Sequence, residues 1–363
     1  MPRILSTITV LTFCASPALA EVPLVATDIA PIHSLVSQVM GGLGEPSLLM
    51  SQGASPHDYA LRPSDAKHLQ QADVVFWTSD NLAPWLGKTI TTLAPNAVSV
   101  PLAESEASLK ISFREGMTFD DHEHGTGEGY VDHDEEHDHH DADDDGHHDA
   151  DEHDEHGDEH VDAHEEHHDE HGDDHDDHDD DNAEVHDEHG HDHSGTDPHA
   201  WLDPQNAIIW LDLIAHTLSE IDPDNAQTYA DNAALSHVAL EDMIKRIDTQ
   251  LADEHDLKFV VFHDAYHYFE ARFGLSAMGA ISLGDAAAPS PMRIAELRDK
   301  ITAQGVDCVL SEPQFNAGLV DTLLEGTSAA RGVIDPLGQN IALGPDFYPA
   351  LIQGVADSFD VCR

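Results

Sequence analysis

Basic residues are scarce in this chain. Fifteen Lys and Arg stand against 72 Asp and Glu over 363 residues, for a formal charge of -57. Binding to nucleic acid rests on neutralising phosphates with cations, so this balance excludes nucleic acid as a partner. It equally disfavours docking on an anionic lipid surface. Cysteine is scarce as well, with 3 in all, too few for a zinc site built from thiolates. Long apolar runs are missing: no stretch reaches the roughly 20 residues that span a bilayer. The run from Ile4 to Phe13 is shorter, follows Arg3 and precedes Pro17-Ala18-Leu19-Ala20. A basic start, an apolar middle and a small-x-small end predict a secretory signal over residues 1–20, removed after Ala20.

Histidine, by contrast, is abundant, and most of it sits in one place. Between Asp120 and His193, 74 residues hold 36 Asp and Glu, 21 His and no Lys or Arg. Outside the signal and this span about 270 residues remain, enough for one large domain or two ordinary ones with real cores. The span repeats a few polar residue types and cannot bury enough apolar surface to offset ordering entropy, which predicts disorder. A purely solubilising segment needs only Asp and Glu. His133, His137, His139, His140, His147, His148, His153 and His156, set among carboxylates, predict auxiliary binding of divalent metal. Neighbouring carboxylates raise imidazole pKa values, so protons compete with metal there and each site is of modest affinity.

An exported chain meets oxidising conditions, where Cys308 and Cys362, the two cysteines left after Cys14 is removed, can persist as a disulfide. Such a bridge restrains the chain end; the alternative is a pair of buried thiols.

Short apolar runs alternate with helical patterns on both sides of the acidic span. Val22 to Thr27, Ser47 to Met50, Asp73 to Thr78 and Ala97 to Leu102 read as buried strands before it. Lys258 to Phe262, Ala277 to Leu283, Val306 to Ser311 and Gly332 to Ile334 repeat the rhythm after it. Helical patterns cover Ile32 to Met40, Ser64 to Gln71, Ser290 to Ala303 and Asn316 to Ala329. Continuous apolar strands with helices between them imply parallel sheets covered on both faces. The fold class is therefore α/β, with two lobes, each a four-stranded parallel sheet flanked by helices. Between them Asp203 to Ile221 predicts one helix, and Asp222-Pro223 predicts the cap and first turn of a second. That second helix carries an apolar face of Tyr229, Ala233, Leu240, Ile244, Ile247 and Leu251 and reaches about Leu251. It reads as one long rigid connector. The predicted segments are an N-terminal lobe over 21–119, an insertion over 120–193, completion of that lobe over 194–222, the connecting helix over 223–253, and a C-terminal lobe over 254–363.

Three histidines outside the span stand in settings that suggest ligation. His57 lies in Ser55-Pro56-His57-Asp58-Tyr59, a loop after a strand; His199 lies in Asp197-Pro198-His199-Ala200-Trp201; His263 ends a strand in Phe262-His263-Asp264. Ligands of open parallel sheets gather at the carboxyl ends of strands, which lets these imidazoles meet. Three neutral nitrogens suit tetrahedral Zn2+. Asp58, Asp197 and Asp264 are placed in sequence to orient the rings by accepting the distal N–H. His68, His216 and His237 fall within helical patterns and read as structural or solvent-facing.

These motifs, with Ser311-Glu312-Pro313-Gln314-Phe315 and Asp335-Pro336-Leu337-Gly338, are spread over nearly all of the chain outside the His-rich span. Here the sequence resembles the periplasmic metal-binding proteins of ABC importers, most closely the zinc-uptake ZnuA type. The resemblance implies two α/β lobes joined by a long helix, zinc held between them by His57, His199 and His263, and delivery to a membrane permease driven by an ATPase. It implies a monomer in the periplasm with a disulfide at Cys308 and Cys362. Manganese-binding relatives place a carboxylate where His263 stands, so the histidine favours zinc. Some relatives carry an acidic ligand just before the first histidine; Pro56 occupies that position and cannot bind. Others close the site with an Asp that maps to Asp335, leaving Asp335 or water as the fourth ligand. The His-rich span follows the family pattern and is expected to collect zinc or to sense it.

The expected function is thus zinc capture and import, and the chain is not expected to be an enzyme. A zinc hydrolase also uses three histidines, but no His-Glu-x-x-His pair occurs and no Glu in the three motifs is placed as a general base. A zinc buffer or an adhesin without a transport role is the other alternative.

Overall fold

A computed structural model describes residues 22–57, 59–114, 195–282, 289–315 and 317–363. The signal read over 1–20, Asp58 and the histidines of the 120–193 insertion lie outside the described residues.

Each predicted strand forms, most of them trimmed at the ends; the one predicted at Lys258 to Phe262 runs on to His263, and the one predicted at Gly332 to Ile334 begins at Ala330. The first half contains β1 (Val25–Thr27), α1 (Ala30–Met40), β2 (Ser47–Leu48), α2 (Pro63–Gln71), β3 (Val74–Trp77), α3 (Leu86–Leu93) and β4 (Val98–Pro101). Its strands pair in parallel in the order β2-β1-β3-β4. Val74 to Trp77 are buried along their whole length, as expected for a strand covered by helices on both faces. Pro31 and Pro63 open α1 and α2, where the missing N–H costs nothing.

Two antiparallel helices follow. Asp203 caps α4 (Pro204–Ile221) by accepting the Gln205 N–H at 2.9 Å. The next helix starts later than the Asp222-Pro223 pair predicts: Pro223–Asn225 form a separate tight turn, and α5 runs over Ala226–Leu251. The Asp222 carboxylate caps no helix, because it accepts from Asn225 Nδ2 at 2.7 Å and Tyr229 Oη at 2.8 Å. The buried face of α5 is Tyr229, Ala233, Leu240, Met243, Ile247 and Leu251; Met243 takes the place expected for Ile244, which is only partly buried. At 1.5 Å per residue α5 is about 39 Å long.

The second half holds β5 (Phe259–His263), α6 (His267–Phe273), β6 (Ala280–Ser282), α7 (Pro291–Gln304), β7 (Cys308–Ser311), α8 (Ala317–Leu324), β8 (Ala330–Val333) and α9 (Phe347–Asp357). The strand order β6-β5-β7-β8, again all parallel, repeats the first sheet. α8 stops five residues before the predicted end, and Gly326 takes up a left-handed φ of 83° just beyond it.

The sequence pattern assigns everything after residue 254 to the C-terminal lobe, yet α9 packs on α1 and α5. Ser34 Oγ donates to the Pro345 carbonyl and accepts from the Tyr348 N–H, each at 3.0 Å, and Gln38 Nε2 reaches Pro345 O at 2.8 Å. Beyond α9 the last turn returns to β8, and Cys362 joins Cys308 of β7 in a disulfide with Cα atoms 5.1 Å apart. The pairing expected from the redox setting is present.

Candidate metal centre

His57 stands in the loop that leaves β2. That loop is held across the cleft: Gln52 Nε2 donates to Gly338 O at 2.7 Å and to Ile341 O at 2.5 Å. On its other side Trp85 Nε1 donates to Pro56 O at 3.2 Å.

His199 follows a short antiparallel pairing. Ser112 bridges Thr196, Phe113 N–H donates to Gly195 O at 3.2 Å, and Asp197 N–H donates to Ile111 O at 2.8 Å. The buried Asp197 carboxylate then accepts the His199 backbone N–H at 2.9 Å and its Nδ1–H at 2.8 Å. One carboxylate oxygen therefore fixes both the backbone and the ring. With the Nδ1 proton engaged, Nε2 carries the lone pair. That atom is buried and has no hydrogen-bond partner among the described residues, a costly state for a polar nitrogen unless something fills the position.

His263 ends β5. Its Nδ1 donates to Glu312 Oε1 at 2.5 Å, and Gln314 Nε2 holds the other oxygen at 2.6 Å. Glu312 follows β7, the strand beside β5, and is 3% exposed. The adjacent Asp264, expected to orient this ring, instead accepts from Arg114 Nε at 3.0 and 3.1 Å. Successive side chains leave a strand in opposite directions, so the residue next to a ligand is poorly placed to back it. The carboxylate that does so comes from the residue just after the neighbouring strand. Sequence reasoning gives Glu312 no role, although it stands in the Ser311-Glu312-Pro313-Gln314-Phe315 motif directly after an apolar strand.

The three rings gather into one row. His57 and His199 centroids are 5.7 Å apart, and those of His199 and His263 5.3 Å. Imidazoles on one tetrahedral zinc, each bound at about 2.0–2.1 Å, have ring centres roughly 5 Å apart. Among the described residues no three donor groups are already closed tightly enough to hold an ion. Trp201, buried, lies 5.4 Å from His199 by ring centroids and donates its Nε1–H to Pro336 O at 3.0 Å. The Asp335 loop is thereby brought against the His199 turn. Asp335 itself accepts the N–H groups of Leu337 at 3.0 Å, Gly338 at 2.9 Å and Gln339 at 2.7 Å, so its first task is to hold that loop.

The other described histidines lie outside this group, although His33 Nδ1 and His267 Nδ1 are also buried without a hydrogen-bond partner among the described residues. His68 is exposed, and His216 and His237 pair with Glu220 and Glu241 on helix surfaces. His33 is buried, with Nε2 on the Pro46 carbonyl at 3.0 Å, and burial lowers its pKa.

Residues 25–362 match the family model described as ZnuA, zinc-uptake complex component A, periplasmic. The chain belongs to the ZnuA family. A high-affinity zinc uptake system protein ZnuA of Brucella abortus (strain 2308) is 40% identical over 350 residues, covering 96% of this chain and 94% of that protein. Among solved structures, the solute-binding protein FpvC of Pseudomonas aeruginosa in complex with Mn2+ aligns with a TM-score of 0.65 at 17% identity, over 94% of this chain and 98% of that one. A Zn(II)-bound variant of AdcAII of Streptococcus pneumoniae gives a TM-score of 0.61 at 19% identity, over 93% and 98%. At these identities the structural likeness establishes the fold, and it spans proteins described with two different metals.

Proposed function

We propose that this chain captures zinc in the periplasm and hands it to the permease of an ABC importer, with zinc as cargo and no reaction catalysed. The observation that carries the reading is the row of His57, His199 and His263. Two of these rings have Nδ1 fixed on buried carboxylates, and His199 Nε2 is buried and unpartnered. An all-imidazole set favours zinc over manganese, which prefers oxygen. The fourth position falls to Asp335 or water. In this reading the 120–193 insertion collects or senses zinc.

The test is a zinc competition titration on protein lacking 120–193, with and without His199→Ala. The pairing of Ser112 with Thr196 closes the base of the insertion, so its removal leaves a short loop. One tight equivalent, lost on His199→Ala, is the expected result. No tight equivalent in the deleted protein would move zinc binding to the insertion and favour a buffer.

A further inference from the structure

A buried guanidinium ties the base of the insertion to elements beside His263. Arg114 is the last described residue before the span. It lies two residues after Ser112, whose isolated bridge to Thr196 sits three residues before His199. Its side chain reaches into the second half of the chain and meets two carboxylates. Nε lies 3.0 and 3.1 Å from the two oxygens of Asp264, and Nη2 also contacts Asp264. Nη1 lies 2.6 Å from Glu270 Oε2, and Nη2 lies 3.0 Å from Glu270 Oε1.

All three nitrogens of the planar fork are therefore engaged, in the geometry that arginine provides and lysine cannot. The three side chains are 14%, 12% and 2% exposed, so water screens them little. Both carboxylates are anchored in elements next to His263. Asp264 is its chain neighbour, and Glu270 on α6 also accepts the Ala277 N–H at 2.9 Å. Ile111 N–H donates to Tyr268 Oη of the same helix at 3.0 Å.

Arg114 thus adds a buried, charged link between the segment paired with Thr196 and the turn following His263, beside the Ile111–Tyr268 hydrogen bond. We propose that Arg114 is a positioning residue for zinc retention, locking the base of the insertion to the His263 segment so that the two imidazoles keep their separation. This rests on the cleft reading above.

A second arginine supplies the control. Arg272, on the same helix, holds Asp203 through Nε at 2.7 Å and Nη2 at 2.8 Å, and this bridge touches neither the base of the insertion nor the residue next to His263. The experiment uses the full chain loaded with zinc, followed by Trp fluorescence during transfer of zinc to a chromophoric chelator. Arg114→Gln is expected to release the tightly held equivalent about tenfold faster or more, the size typical of losing a group that orients a ligand. Arg114→Lys is expected to recover part of the loss, and Arg272→Gln to stay within about twofold of the unaltered chain while lowering the unfolding midpoint. Release from Arg114→Gln within twofold of the unaltered rate overturns the proposal. So does equal acceleration by Arg272→Gln, which would reduce both arginines to general stabilisers. If His199→Ala leaves the tight equivalent in place, the cleft reading itself fails, and that outcome is distinct from either result at Arg114.

Discussion

A buried carboxylate on one nitrogen of an imidazole fixes its tautomer and aims the lone pair of the other. Glu312 is so placed on His263, and Asp197 on His199, the two rings proposed as zinc ligands. Glu312→Gln leaves a neutral group of the same shape, so the fold should persist while zinc affinity falls about 10- to 100-fold. Chelator competition measures this, and a change below twofold would show that the carboxylate charge is immaterial. The three histidines are legible in the sequence because each stands in a short motif at the end of a strand or in a loop. Glu312 is not, since it meets His263 from 49 residues away, a distance that only strand order closes.

Asp28 carries a different charge effect. It is fully buried at the end of β1, and burial outweighs its bonds from the Ile29 and Thr78 N–H groups, raising its pKa from 3.8 to about 6. The folded state thus keeps a proton between those values that the unfolded state has lost. The associated stability is complete below about 3.8 and is lost as pH rises through about 6. A rise of that size corresponds to roughly 3 kcal/mol. In denaturant unfolding between pH 4 and 7, the native chain should lose about that much relative to Asp28→Asn. A pH-independent difference between the two proteins would contradict it.

At the scale of elements, Asp203 serves two roles. It caps α4 and it receives Arg272 from α6. Asp203→Ala removes both and should cost about 2 kcal/mol, whereas Asp203→Asn keeps a capping oxygen and should cost about half as much. Equal losses in urea unfolding would show that the cap contributes nothing separable. The strands are readable because helices bury both faces of each sheet, leaving runs such as Val74-Val75-Phe76-Trp77 with no polar interruption. Boundaries are less so. The Asp222-Pro223 pair is a sound helix-start signal, but the Tyr229 hydroxyl competes for the same carboxylate and α5 begins later.

At the scale of the molecule, the chain crosses between its halves more than once. α5 leads from the first sheet to the second, α9 returns to α1, and Cys362 closes on β7. An amphipathic pattern tells which face of α9 is buried but not against what, so this return is hidden from sequence. The disulfide closes a loop with a sequence separation of 54, for which chain entropy gives about 4 kcal/mol. Replacing both cysteines with serine should lower unfolding stability by an amount of that order and leave zinc stoichiometry unchanged. A loss of the tight equivalent would mean that the bridge shapes the site.

The return of α9 also sets an order of events during synthesis. Ser34 and Gln38 in α1 are completed by Pro345 and Tyr348, more than 300 residues later. The first helix to leave the ribosome therefore waits for nearly the last. In a chain interrupted before residue 345, the Ser34 and Gln38 side chains lose these partners and α1 loses its packing against α9.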